Sequence, residues 1–273
     1  MLKDKKYFLF DIDGTIAIDD TLYEGSRKLL AYIDSIGGRS FYITNNSTKS
    51  RKDYVKKFEK WGIYTQEEQF MTASYVACRY LKKHYGDRRL FVIGTPSFEE
   101  ELREYGLKVT RKVQRDTACV VAGFARTLTY EKIEAACELL FCPEIDFVAT
   151  NPDLRCPVSF GFIPDCGGIC GMLKAAADRT PYYVGKPNAK IVRLCMEQVN
   201  ARTDEVLVVG DRLYTDIACG INAGVETALV YTGEAKPEDI KNTEYMPDYT
   251  YQNILELYED FVRERKAVNE EEK

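Results

Sequence analysis

Short runs of β-branched and aromatic residues recur along this chain, at residues 7–11, 39–44, 90–94, 119–123, 146–150, 182–185, 206–210 and 227–231, with room for a helix between most neighbours. Strands that alternate with helices predict an α/β fold built on a parallel sheet. Between the first two runs, residues 22–36 carry apolar side chains at helical spacing and stop at Gly37-Gly38. After the second, Tyr54, Val55, Phe58 and Trp61 form one face of a helix ended by Gly62. At 273 residues the chain is long enough for one large or two medium domains. It has no internal repeat and no Pro/Ser-rich joint, so a second domain is expected as an insertion within the α/β pattern.

Charge and composition exclude several classes of protein. Lys and Arg number 38 against 43 Asp and Glu, a net charge of −5, and no basic stripe marks a nucleic-acid or anionic-membrane surface. No apolar run approaches the roughly 20 residues of a membrane helix, and the run at 7–10 is broken by Asp11 and Asp13 before it could act as a signal peptide. A cytoplasmic protein is expected. The nine cysteines are scattered through apolar stretches without a C-x-x-C pair, which predicts free, mostly buried thiols and disfavours zinc. His84, the one histidine, sits in the Lys-rich segment 81–84, read as a solvated helix end, so His-based triads are disfavoured too. Residues 268–273 read as a solvated acidic tail.

The chemistry concentrates at strand ends. Phe8-Leu9-Phe10 runs into Asp11-Ile12-Asp13-Gly14-Thr15, placing two carboxylates at the edge where open α/β sheets bind ligands. Acids one residue apart on extended backbone point to opposite sides. One can therefore attack or bind a metal while the other faces a leaving group. An Asp-rich turn explains that pair equally well when it stands alone. Phe41-Tyr42-Ile43 then delivers Thr44-Asn45-Asn46-Ser47-Thr48, hydroxyls and amides ahead of a helix that suit an anion; an N-cap accounts for Ser47 or Thr48 but not for Thr44 and Asn45. Lys186 follows another strand, with Pro187 suited to a helix's first turn, although a lone loop lysine is usually just solvated. Finally Val206–Gly210 leads to Asp211-Arg212-Leu213-Tyr214-Thr215-Asp216, with Asp216 near the start of a helix expected over 215–222. Asp, Thr, Lys and Asp at four strand ends, in this order, are seldom the product of turn chemistry alone.

These motifs resemble the haloacid dehalogenase-like hydrolase superfamily, whose phosphatases carry D-x-D-G-[TV], a Thr or Ser at a second strand end, a Lys, and G-D-x-x-x-x-D. Thr44-Asn45-Asn46-Ser47-Thr48, Gly185-Lys186-Pro187 and Gly210-Asp211-Arg212 are similar to the branch containing NagD, 4-nitrophenylphosphatase, phosphoglycolate phosphatase and pyridoxal phosphate phosphatase. The resemblance covers nearly the whole chain. It implies a Rossmann-like parallel-sheet core, residues 1–80 and 181–273, with a C2-type α/β cap inserted at 81–180. Val92-Ile93-Gly94-Thr95, Val121-Ala122-Gly123-Phe124 and Ala149-Thr150-Asn151-Pro152-Asp153 resemble that branch's cap strands, and Asp165-Cys166-Gly167-Gly168 its helix-opening turn. Ala125 departs from relatives that have Asp there.

The implied activity is Mg²⁺-dependent hydrolysis of a small-molecule phosphate monoester through an aspartyl-phosphate. Such esters resist water because an anion must attack a dianion. In this reading Asp11 is the nucleophile, and Asp13 the general acid and then base. Magnesium is held by the carboxylates of Asp11 and Asp211 and the backbone carbonyl of Asp13. Thr44, Asn45 and Lys186 hold phosphoryl oxygens, and Asp216 stands behind the metal ligands. In relatives the stretch matching 151–158 is a loop that selects the substrate, which here points to Asp153, Arg155 and Cys156. Cys156 stands where pyridoxal phosphate phosphatases have His, and Arg155 could pair with a second anionic group, so a sugar or small acidic phosphate is expected rather than a flat cofactor. Relatives often pair through their caps, which implies a homodimer. A phosphotransferase or mutase would use the same chemistry with a hydroxyl acceptor, and a non-catalytic ligand-binding relative is the reading from another class; the intact Asp11, Asp13, Thr44, Lys186 and Asp211 set disfavours the latter.

Overall fold

The computed structural model describes residues 1–158 and 160–271. Its strands, in chain order, are β1 (Tyr7–Phe10), β2 (Ala17–Ile18), β3 (Thr21–Leu22), β4 (Arg39–Thr44), β5 (Phe70–Thr72), β6 (Arg89–Ile93), β7 (Lys108–Thr110) and β8 (Thr117–Ala122). They continue with β9 (Asp146–Ala149), β10 (Arg155–Val158), β11 (Gly161–Pro164), β12 (Tyr182–Tyr183), β13 (Val206–Gly210), β14 (Glu226–Val230) and β15 (Tyr249–Tyr251). The helices are α1 (Ser26–Ser35), α2 (Arg51–Lys60), α3 (Ala73–Tyr85), α4 (Pro96–Glu104), α5 (Tyr130–Leu140), α6 (Cys166–Ala177), α7 (Lys190–Val199), α8 (Ala218–Ala223) and α9 (Ile254–Glu271). The chain divides into two compact units: Met1–Ile43, Lys57–Phe70 and Pro187–Lys273 form the first, Thr44–Lys56 and Met71–Lys186 the second.

The first unit is built on a sheet of order β15-β14-β13-β1-β4-β5. Within it β1 runs parallel to β13 on one side and β4 on the other, Phe10 lying opposite Val209 and Tyr42. Phe8, Leu9 and Phe10 are buried and so is all of β13, which is why these strands are continuously apolar rather than alternating. Phe8 meets Phe261 of α9 at 5.0 Å between ring centres, and Tyr32 of α1 closes edge-on against Phe261 at 5.5 Å. On β4, Tyr42 packs against Phe58 and Phe70 at 4.4 and 5.0 Å, and Trp61 joins Phe58 at 5.0 Å. Each of the fully buried phenylalanines, Phe8, Phe58, Phe70 and Phe261, contributes about 1.5–3 kcal/mol by leaving water.

The second unit carries a five-stranded sheet of order β12-β9-β8-β6-β7, parallel at every pairing. Phe91, Ile93, Val120 and Phe147 from this sheet pack with Ala136 and Leu140 of α5 and Ile169 and Leu173 of α6. Asp165 caps α6, its Oδ1 accepting the Cys166 N–H. β10 and β11 form a separate antiparallel hairpin. The fold is the expected α/β class.

Several local expectations change. The helix expected over 22–36 begins only at Ser26, because Thr21-Leu22 pairs with Ala17-Ile18 and Gly25 then turns the chain. Pro187 precedes its helix instead of opening it, since α7 starts at Lys190. The helix expected over 215–222 is a π turn, Leu213–Ile217, followed by α8. Part of 151–158, expected as a loop, is strand β10. The stretch expected as a tail is helical through Glu271; Glu272 and Lys273 lie outside the described residues. All nine cysteines are free and six are buried, burial pushing the Cys119 thiol up to about 12. His84 lies in the last turn of α3, exposed and stacked on Tyr80 at 4.2 Å. Among the described residues no helix is long and apolar enough to cross a membrane.

Candidate active site

Asp11 and Asp211 are the residues that directly follow the neighbouring strands β1 and β13, and the Asp11 N–H donates to the Val209 carbonyl at 2.8 Å, so both leave the sheet at the same edge. Asp216 joins them from the π turn. One carboxylate oxygen from each of the three lies within 4.8 Å of the others, and all three side chains are buried. The backbone is shaped around this group. Gly14 has φ +104°, and a Cβ there would stand 2.7 Å from Asp211 Oδ2, so only glycine fits the turn after Asp13. Thr15 Oγ1 donates to Asp211 Oδ1 at 3.3 Å, the Glu234 N–H to Asp211 Oδ2 at 2.8 Å, and the Arg212 N–H to Asp216 Oδ2 at 3.0 Å.

Asp13 goes elsewhere. Its carboxylate, 24% exposed, lies 3.6 Å from the Lys57 ammonium. That ammonium also sits 4.9 Å from the centre of the Trp61 ring, whose Nε1 donates to the Asp20 carbonyl at 2.7 Å. Tyr23 donates to the Thr232 carbonyl at 3.1 Å; burial first, and then the charges of Asp211, Asp13 and Asp19, raise its pKa and keep it a neutral phenol.

Three buried carboxylates so close together disfavour one another's charge unless a cation lies among them. Their donors are hard oxygens, the set that suits Mg²⁺ and does not favour a soft metal. The group therefore fits the divalent ion expected from the sequence. It includes the carboxylate of Asp216, expected to stand behind the ligands, while the side chain of Asp13 pairs with Lys57.

The second unit holds the remaining residues. Thr44 ends β4, 2% exposed, its Oγ1 accepting the Asn46 N–H at 3.1 Å. Asn45, expected to hold phosphoryl oxygens, uses its side chain on the protein itself. Its Oδ1 accepts the Lys186 N–H at 2.9 Å, and its Nδ2 donates to the Lys186 carbonyl at 3.1 Å and to Asp153 Oδ2 at 3.0 Å. Asn151 Nδ2 bridges Asp153 Oδ2 and Asp165 Oδ1 at 3.0 and 3.2 Å, and its Oδ1 accepts from Thr150 at 2.8 Å. Ser47 meets Thr150 at 3.1 Å and accepts the Phe124 N–H at 2.9 Å. Lys186 and Asp153 are both buried. Arg155, exposed on β10, lies 4.2 Å over the Phe162 ring, and Cys156 is half-buried against the unit's apolar core.

Sequence reasoning missed Lys57, Thr15, Glu234, Asn151 and Asp165 as parts of these arrangements. Thr15, Asn151 and Asp165 lay within motifs already singled out. Thr232-Gly233-Glu234 follows a buried strand as Asp211 does, a signal that could have found Glu234.

Comparison with known proteins places this geometry. Residues 8–108 match the family described as haloacid dehalogenase-like hydrolase, and residues 183–257 one described as HAD-hydrolase-like. The chain is 30% identical over 255 residues to the acid sugar phosphatase of Staphylococcus aureus strain MRSA252, covering 93% of this chain and 97% of that one. Its fold superposes on the 4-nitrophenylphosphatase of Thermotoga maritima with a TM-score of 0.88 at 35% identity, covering 94% and 98% of the two chains. The glycerol phosphate phosphatase of Mycobacterium tuberculosis, in a structure with magnesium, matches at a TM-score of 0.88 and 25% identity, over 96% of this chain and 78% of that one. The chain belongs to the haloacid dehalogenase-like hydrolases. Within them it falls in the branch of NagD and the 4-nitrophenylphosphatases, and it is a phosphoric monoester hydrolase.

Proposed function

We propose that this phosphatase hydrolyses small-molecule phosphate monoesters, sugar or small acidic phosphates above all, through a phosphoryl group carried on Asp11. The observation that supports this reading best is the buried group of Asp11, Asp211 and Asp216 at the carboxyl edge of a parallel sheet, with Asp13 two residues from Asp11 and its carboxylate 3.6 Å from the Lys57 ammonium. Asp11 attacks phosphorus with a carboxylate oxygen, forming the Asp11–phosphate bond as the ester oxygen leaves. Asp13 gives that oxygen its proton. The ionised Asp13 then takes a proton from the water that cleaves the aspartyl-phosphate, returning both carboxylates to their starting state.

Asp11, Asp211 and Asp216, with the Asp13 carbonyl, are the residues that would hold Mg²⁺. When bound, Mg²⁺ supplies positive charge that screens an anionic nucleophile from an anionic phosphate. Thr44 and Lys186 are assigned to phosphoryl oxygens, Lys186 offering charge that strengthens as the equatorial oxygens become more negative. In this reading residues 81–180 form the cap, and selectivity rests on Arg155 and Cys156. The relatives named for acid sugar, nitrophenyl and glycerol phosphates support a broad monoester preference.

A panel of carboxylated, sugar and aryl phosphates, assayed for phosphate release with Mg²⁺ and with EDTA, tests the reading. Release from sugar or small acidic phosphates only with Mg²⁺ supports it, and activity unchanged in EDTA removes the metal from it. Arg155→Ala should lower kcat/KM for anionic or polyhydroxy esters and spare aryl phosphate. An equal change for all would take selectivity away from Arg155.

A further inference from the structure

Asp153 and Asn45 were both expected to touch the substrate, one as selector and the other as phosphate ligand. Their contacts point to a different task. A carboxamide has two hydrogens and one carbonyl oxygen. In Asn45 one hydrogen goes to the Lys186 carbonyl, the carbonyl oxygen takes the Lys186 N–H, and the other hydrogen goes to Asp153 Oδ2. One side chain thus grips both backbone groups of Lys186. The residue before it is cut to fit: a Cβ on Gly185 would stand 2.5 Å from Asn45 Oδ1 and 2.5 Å from the Thr150 carbonyl, to which the Gly185 N–H donates at 2.7 Å. Asp153, 3% exposed, orients the Asn45 amide by accepting from it, and is itself oriented by Asn151, which also reaches the α6 cap Asp165.

We propose that Asn45 and Asp153 are positioning residues for Lys186, fixing the backbone from which its ammonium extends, and that Asp153 does not choose among substrates. The inference rests on the reading of Lys186 as a phosphate-binding residue. Its physical content is that the phosphoryl group is common to every monoester. A lysine displaced by about 1 Å costs on the order of 10 to 100-fold in rate, and costs it for all substrates alike. A selector would change esters unequally, because it meets the part in which they differ.

The experiment compares Asp153→Ala, Asp153→Asn, Lys186→Ala and the double variant Asp153→Ala/Lys186→Ala, measuring kcat and KM for p-nitrophenyl phosphate, glycerol phosphate and a hexose phosphate. Asp153→Ala should lower kcat/KM by one common factor across the three esters. Asp153→Asn, which keeps a carbonyl oxygen to accept from Asn45, should restore most of the loss. In the Lys186→Ala background, Asp153→Ala should add nothing, since it acts through the missing lysine. Unequal losses among the esters, no rescue by Asn, or a full further loss without Lys186 would each overturn the proposal. Should Asp153→Ala not fold, Asn45→Ser releases the same grip from its other end and is judged by the same uniformity. If Lys186→Ala alone leaves phosphate release unchanged, the phosphate-binding reading falls and this inference with it. If Lys186→Ala abolishes release but Asp153→Ala discriminates among esters, only the inference falls.

Discussion

In the first unit Asp11, Asp211 and Asp216 bring three acceptors of one charge within 4.8 Å, whereas in the second Asn45, Asn151, Thr150 and Ser47 set donors against Asp153 and Asp165 so that hydrogen bonds run from group to group. A cluster of like charges gains by binding a cation, while an alternating network gains by excluding everything else. The contrast separates a region built to be completed by a ligand from one built to hold a lysine still. Substitutions should therefore fail in different ways in the two places.

The largest effect is expected at Asp11. Asp11→Asn should abolish turnover and leave the thermal unfolding transition in place, because a neutral amide neither attacks nor repels its neighbours. Phosphate release at the unsubstituted rate would exclude Asp11 as nucleophile and dissolve the contrast. Metal removal comes next. EDTA should stop turnover and excess Mg²⁺ restore it, and Mg²⁺ at 100 times its Kd should stabilise the folded chain by about 2.7 kcal/mol. Calorimetry with and without Mg²⁺ checks this: the gain should vanish in Asp211→Asn and survive in Asn151→Ala, and its survival in both would place the ion elsewhere.

Asp13→Asn should cost on the order of 10² to 10⁴-fold for alkyl phosphates and less for p-nitrophenyl phosphate, whose phenolate leaves with little protonation. Equal losses would make Asp13 structural. Lys57→Met, which removes the ammonium 3.6 Å from Asp13, should show the same leaving-group pattern more weakly, with Lys57→Arg recovering it. The smallest effect concerns Asp53. Burial works to raise its pKa, but hydrogen bonds from Ser97 and Ser50 outweigh burial and hold it below the usual carboxylate range. With its folded pKa depressed, its stabilising contribution is present above the ordinary value near pH 4 and fades as pH falls through the lower folded value. Asp53→Asn should therefore lower Tm at neutral pH and converge with the unsubstituted chain in acid; parallel Tm curves would refute the linkage.

The same contrast explains what was legible in the sequence. Asp11 and Asp211 could be read because each follows a buried strand, and strand order carries their side chains to one edge whatever the loops do. Strands such as β1, β4 and β13 were visible because both faces are covered and the residues are apolar throughout. Lys57 was hidden because an ammonium on a buried helix face looks, in sequence, like one in solvent. The grip of Asn45 on Lys186 joins residues 141 positions apart through backbone groups that every residue possesses, so no residue type signals it. The hairpin of β10 and β11 escaped because a four-residue strand containing Pro157 reads as a loop.

The place of β1 between β4 and β13 also sets an order of events during synthesis. Tyr7 can meet Arg39 soon after both leave the ribosome, but its other neighbour is Val206. Strands β6 to β9 all lie between residues 89 and 149 and pair with one another, so that sheet can close while the first one still has an open side. Pairing across long sequence separations is slow, and an unpaired central strand is an invitation to aggregate. The late-arriving β13 brings Asp211 with it, and Asp216 follows five residues on. The nascent chain thus has no assembled group of Asp11, Asp211 and Asp216 until β13 and the turn after it have emerged, so the strand that closes the open side of β1 also brings two of the three acids.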